Sequence, residues 1–185
     1  MVKYTRDQLK VQFAKLGYDW PNFHLIGIRA KNYVADSFCD TLIVLAGTNI
    51  SYYSITTRPG VYYLDHLLNP KGCAVLKPGQ WKNCWALGYH KNDPSHPAFI
   101  QVGPITVFRD ADKDGKALDH GGYAEDTGYF GIDIHRAIPG TTTAVVDRWS
   151  AGCQVFATYQ DEMNTVQDAK ASGEKFFTYT LLEEF

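Results

Sequence analysis

Phe23-His24-Leu25-Ile26-Gly27-Ile28, Thr41-Leu42-Ile43-Val44-Leu45-Ala46 and Tyr52-Tyr53-Ser54-Ile55-Thr56 are the stretches whose reading decides the fold class. Each is a short β-prone run, rich in branched, aliphatic and aromatic side chains. The same reading extends to residues 73–76, 81–89 and 99–108. The turn sequences Arg58-Pro59-Gly60, Asn69-Pro70-Lys71-Gly72 and Lys77-Pro78-Gly79 separate some of these runs. No helical period crosses residues 23–109, so the middle of the chain is expected to be mostly antiparallel β structure.

Outward from this centre, helices flank the strands. Thr5-Arg6-Asp7-Gln8 has the form of a capping box, in which the Thr hydroxyl and the Gln side chain satisfy free N–H groups at a helix start. Leu9, Phe13 and Leu16 then share one face, and Gly17 can end the helix in a left-handed conformation. Residues 110–130, rich in Asp and Gly, are expected to form a long loop returning through residues 131–134 as a short strand aimed at His135. Residues 160–172 read as a helix with Met163 and Val166 on its inner face and Gly173 as its stop. Residues 176–182 read as a closing strand. With no repeat, low-complexity segment or linker, the expectation is a single domain over residues 1–185. It has an N-terminal helix within 1–20, a core over 23–160 and a C-terminal helix and strand within 160–185. The fold class is mainly β, a β-rich α+β domain with short flanking helices.

Composition narrows the function. The chain has 185 residues, enough to bury a core, and its 18 Lys+Arg against 20 Asp+Glu leave no basic surplus to argue for nucleic acid or an anionic membrane surface. No apolar run approaches the length of a membrane span, and Met1-Val2-Lys3-Tyr4-Thr5 lacks the apolar core of a signal peptide. A cytoplasmic protein, one delivered by phage or another route without a cleaved signal, or one whose signal has been removed fits this start. Cys39, Cys73, Cys84 and Cys153 show no paired short spacing, so disulfide and structural-zinc frameworks are poorly supported.

Chemistry concentrates in Gly131-Ile132-Asp133-Ile134-His135-Arg136 and, after fourteen intervening residues, Ser150-Ala151-Gly152-Cys153. A thiol needs a base or a cationic neighbour to become a reactive thiolate. His135 can accept that proton and later return it to a leaving amine. Gly152 lets the backbone turn sharply and aim consecutive N–H groups at the oxyanion of a tetrahedral intermediate. Free cysteines are also among the most buried residues, so spacing alone leaves a structural thiol open as the alternative.

The His, its spacing and the Ser-x-Gly-Cys segment resemble the signature of the L,D-transpeptidase catalytic domain, the YkuD-type family, over roughly residues 23–160. Thr56-Thr57-Arg58-Pro59-Gly60 is similar to the Thr-rich strand end with Pro-Gly found in such domains. The resemblance implies a β-sandwich or open barrel, with Cys153 as nucleophile toward a peptidoglycan stem-peptide carbonyl, His135 as base, and Gly152 and Cys153 as backbone oxyanion donors. It implies no cofactor and no metal, and a backbone carbonyl as the group orienting His135. The chain departs from the family pattern at Ala151, where His or Ser is common, at Val155, where Arg is common, and at Arg136, where Gly is common. Papain-like and NlpC/P60-type peptidases place Cys before His, the reverse of the order here.

Candidate substrate contacts are Ser150, Arg136, Tyr129, His120 and Trp149. Tyr129 and His120 lie in the loop leading to His135, and Trp149 reads equally well as packing beneath the cysteine loop. Asp110-Ala111-Asp112-Lys113-Asp114-Gly115 matches the first half of an EF-hand loop, but Gly121 stands where its bidentate Glu should be, which favours a solvated hairpin. The alternatives to acyl transfer are a wall-peptide-binding module without turnover and a zinc site of His135, Cys153 and one of His90, His96 or His120.

Overall fold

Continuous apolar runs such as those at 23–28 and 41–46 need cover on both faces. They have it in the computed structural model, which describes residues 1–118 and 121–185. In chain order the elements are α1 (Arg6–Leu16), β1 (Phe23–Arg29), β2 (Asp40–Ala46), β3 (Asn49–Thr56), α2 (Val61–Asp65), β4 (Cys73–Leu76), β5 (Gly79–Tyr89), β6 (Pro97–Gln101), β7 (Ile105–Asp110), β8 (Ala124–Gly128), β9 (Ile134–Arg136), β10 (Gln154–Phe156), α3 (Tyr159–Ser172) and β11 (Phe177–Glu183). Eight strands close a mixed barrel in the order β1-β11-β5-β6-β9-β10-β3-β2, and β4-β7-β8 form a small antiparallel sheet.

The expected sandwich or open barrel gives way to this closed barrel. Closure comes from β11, which pairs parallel with β1 through Leu25↔Tyr179 to Arg29↔Glu183 and antiparallel with β5. A closed sheet leaves no open edge to template aggregation. Parallel pairing recurs once more in the barrel, between β9 and β10.

Leu25, Leu42, Val44, Ile55, Trp85, Phe99, Ile134, Phe156, Tyr179 and Leu181 fill the barrel. The polar tips among them are satisfied, Trp85 Nε1 donating to the Ile132 carbonyl (2.8 Å) and Tyr179 Oη to Gln154 Oε1 (3.0 Å). On the outside of β1 and β2 the alternate residues Ile26, Ile28, Ile43 and Leu45 pack with Leu9 and Phe13 of α1. The capping box forms as expected, with Gln8 N–H on Thr5 Oγ1 and Thr5 N–H on Gln8 Oε1, and Gly17 ends α1 at φ 69°. Leu16 does not join this face and is exposed.

Four further expectations change. Residues 99–108 are two strands, β6 in the barrel and β7 in the small sheet. They part at Gly103-Pro104, where a Cβ on Gly103 would press on Cys84 and proline has no N–H for a ladder. The expected loop at 110–130 contains β8. Its sequence, Ala124-Glu125-Asp126-Thr127-Gly128, has no apolar period because it is an edge strand held by polar pairs: Arg109 to Asp126 (3.0 Å) and Thr106 to Thr127 (2.8 Å). The short strand of this region spans Ile134–Arg136 and so contains His135. In α3, Glu162, Thr165, Val166 and Ala169 face inward, whereas Met163 is half-buried; Gly173 ends the helix at φ 72° as expected.

Candidate functional site

Strand alternation sets the site. Ile134, Gln154 and Phe156 turn into the barrel, so Asp133, His135, Cys153 and Val155 share the opposite face of β9 and β10. The parallel register pairs Val155 with His135, and the Gln154 N–H on the Asp133 carbonyl (3.0 Å) carries it back to Cys153 opposite Asp133. Cys153 and His135 are therefore diagonal neighbours on one face. Strands about 4.8 Å apart rising about 3.3 Å per residue put their Cα atoms about 8 Å apart, within reach of an imidazole and a thiol that converge.

His135 is buried, and its Nδ1–H donates to the Arg136 carbonyl oxygen at 2.6 Å. That bond fixes the tautomer and leaves Nε2 with the lone pair. Nε2 is buried and has no hydrogen-bond partner among the described residues. Burial, reinforced by His90, holds the His135 imidazole well below the usual histidine range. Burial also pushes the half-buried Cys153 thiol up to about 12, the Asp133 carboxylate adding to the effect while the Asp133 backbone opposes it. The resting pair is a neutral thiol and a neutral imidazole, with the thiol turned to the Gly131 carbonyl at 3.5 Å.

The loop before Cys153 is built tightly. Gly152 sits at φ 137°, where a Cβ would collide with the Ala74 carbonyl of β4, so only glycine fits. Ser150 is fully buried, and its hydroxyl donates to the Cys153 carbonyl (2.8 Å) and accepts the Gly152 N–H (3.2 Å). Its chemistry is thus spent on shaping the loop, and the Gly152 N–H is already engaged. Thr56-Thr57-Arg58-Pro59-Gly60 braces the same loop: Thr56 pairs with Val155, and Gly60 N–H donates to the Ser150 carbonyl (2.9 Å). Arg58 anchors this brace on buried Asp40 (2.9 Å).

Arg136 also turns inward. It is 4% exposed, reaches the Ser95 carbonyl through Nη2 (3.1 Å) and pairs with Glu162 of α3 (3.5 Å), whose carboxyl is pushed up to about 7 by burial. Trp149 is exposed rather than packed beneath the loop. Tyr129 is 68% exposed at the rim of a recess of about 410 Å³ that Leu68, Arg109, Phe130 and Ala151 also line. His120 lies outside the described residues. In the EF-hand-like stretch, Asp110 is buried and accepts the Leu118 N–H (2.9 Å), and Asp114 accepts the Lys116 N–H (2.8 Å). Among the described residues, no group of three His, Cys, Asp or Glu is arranged to hold a metal ion.

Sequence reasoning named His90 and His96 beside His135 only as zinc ligands, and it missed Asp133 and the ring stacking that joins them. The His90 ring stacks on it at 3.9 Å between centroids and 16° between planes, and His96 meets it edge-on at 5.3 Å. Asp133 holds His90 through Oδ2 to Nδ1 (2.9 Å) and accepts the Gln101 N–H through Oδ1 (3.1 Å). His90 and His96 begin and end the β5–β6 connection, and the pairing Phe99↔Ile134 carries that connection over β9. Nothing in their local sequence marks this approach. No protein-family model matches the chain, and no curated protein sequence matches it either.

Proposed function

We propose that the protein is a cysteine acyl-transfer enzyme of the L,D-transpeptidase kind, acting on peptidoglycan stem peptides. The observation that carries this reading is the register of β9 and β10, which sets Cys153 diagonal to a His135 whose Nδ1–H is committed to a backbone carbonyl. The reaction starts from the neutral pair. As the sulfur attacks the stem-peptide carbonyl carbon, the thiol proton passes to His135 Nε2, and the carbonyl oxygen gains the negative charge. The Cys153 N–H is the backbone donor left for that oxyanion, because the Gly152 N–H is engaged by Ser150 Oγ. Collapse of the intermediate breaks the carbon–nitrogen bond, the leaving amine takes the proton from His135, and a Cys153 thioester remains. An acceptor amine then gives a cross-link; water gives carboxypeptidase or endopeptidase hydrolysis. In both cases the incoming proton returns through His135 to the thiol.

The departures from the family pattern have local explanations. Val155 is fully buried against the β3 end, and Arg136 is held by Glu162, so neither position offers a charge to substrate. The exposed Tyr129 and the recess beside Ala151 are the surfaces for a peptide.

A second reading, a wall-peptide-binding module of the same fold without turnover, draws on the thiol that burial keeps protonated. Incubating wild-type protein and Cys153→Ala with purified muropeptides under mass readout decides between them. The enzyme reading expects cross-linked or shortened products from wild type alone. Identical, unchanged spectra from both proteins sink it.

A further inference from the structure

Beside the Cys153–His135 pair lies a second, separately tethered pair that this chemistry does not yet use. Asp133 is buried and shares the face of Cys153, directly opposite it in the parallel register. A carboxylate there opposes a thiolate, since two negative charges in a poorly solvated place repel. Its carboxylate is nevertheless engaged on both oxygens, one by the Gln101 backbone and the other by His90 Nδ1. The His90 ring that makes this contact lies flat on His135. One side chain thus touches both the charge that hinders the nucleophile and the ring of the base.

We propose that His90 is a positioning residue for the Cys153–His135 pair: it offsets the Asp133 charge beside the sulfur and, by stacking, fixes the plane of the His135 ring. The assignment deepens the acyl-transfer reading and rests on it for its biological meaning. A positive charge on His135 is opposed by burial and by the His90 imidazole stacked on it. His135 is thereby kept as the free base. The other groups around it are arranged consistently. Lys91 and His96 from the β5–β6 connection and Arg136 on β9 bring positive charge or potential positive charge. Glu162 on α3 engages Arg136 and lies 3.9 Å from His96 Nε2. The acid facing His90 is Asp133.

The test is the pH dependence of Cys153 alkylation by iodoacetamide, followed by peptide mass mapping, in wild type, His90→Phe, Asp133→Asn and the double variant, with a thermal melt of each. In His90→Phe, Asp133 is bared. With the thiol already pushed up to about 12, the accessible pH range lies on the rising limb of the profile, and alkylation there is expected to slow about tenfold. Asp133→Asn alone speeds alkylation, and the double variant recovers to within about threefold of Asp133→Asn, because the offending charge has gone. A His90→Phe profile equal to wild type overturns the proposal. So does a slowing that Asp133→Asn fails to rescue, which is the mark of a merely structural ring. Should His90→Phe not fold, His90→Gln takes its place in the same cycle, and a rate equal to wild type or a slowing without rescue overturns the proposal. Alkylation needs no peptide. If muropeptides are unchanged by wild type while the rates move as stated, the substrate reading fails and the pairing stands.

Discussion

The barrel has two walls covered on the outside by very different means. Behind β1 and β2, α1 lays Leu9 and Phe13 on Ile26, Ile28, Ile43 and Leu45, and the layer is almost wholly apolar. On the outer face of β9, His90 and His96 cover His135 with Asp133 beside them, and next to this cluster Arg136 meets Glu162 of α3. The first wall is close-packed hydrocarbon with one buried polar atom, His24 Nε2, left without a hydrogen-bond partner among the described residues. The second leaves His96 Nε2, His135 Nε2, Arg136 Nε and Nη1, and Glu162 Oε2 buried without hydrogen-bond partners among the described residues. Unsatisfied buried polar atoms each cost roughly 1–3 kcal/mol, so a fold selected for stability alone would not gather them in one place. The contrast teaches that the polar atoms left unpartnered gather around β9, a local departure from stable packing of the kind that marks a candidate site.

That comparison can be broken most directly at Gly152. Gly152→Ala adds a Cβ in a left-handed conformation against the Ala74 carbonyl, so we expect a loss of at least about 3 kcal/mol in urea unfolding together with disturbed Cys153 alkylation. A variant within about 1 kcal/mol of wild type would show that the loop relaxes freely and that Gly152 is not required.

Phe13→Ala tests the other wall. Truncating this buried ring is expected to cost about 3–5 kcal/mol while leaving the alkylation rate of Cys153 at pH 7 within about twofold. An alkylation rate that falls in step with stability would mean that the two walls act as one unit.

The smallest effect sharpens the contrast through pH. His24, packed against Phe13 and Trp20 on the apolar wall, and His96, on the polar one, are each lowered to about 4, chiefly by burial. Each is neutral when folded but protonates near 6.5 when unfolded, so acid favours the unfolded chain. The stability each contributes is full above pH 6.5 and is lost as pH falls from 6.5 to about 4. His24→Phe should flatten that acid limb by about 2–3 kcal/mol in unfolding measured between pH 7 and 4. His96→Gln should flatten it less, because part of its limb is shared with the neighbouring His90 and Arg136 charges. Equal slopes in both variants and wild type would remove the distinction.

Legibility followed the same division. α1 was readable to its ends because Thr5, Gln8 and Gly17 act locally, through bonds spanning a few residues. β1, β2 and β4 were readable because their apolar runs are bounded by turns. β8 was not, since Asp126 and Thr127 are held by Arg109 and Thr106 on the neighbouring strand rather than by any periodic pattern. At the site, the Gly131 to Cys153 segment singled out Cys153, His135 and the conformational need at Gly152. Ser150 and Arg136 carried no sign that their side chains turn inward.

The amino-acid sequence by itself determined the β-rich character and the capped N-terminal helix, and it picked out His135 and Cys153 as a candidate base and thiol, because each depends on neighbours along the chain. Only the tertiary structure decided that the barrel closes and that His90, His96, Asp133 and Glu162 surround His135. Closure depends on β1 meeting β11 across most of the chain, and the imidazole cluster depends on β6 pairing with β9. Contacts of that range are selected by the packing of whole strands, and no local propensity records them.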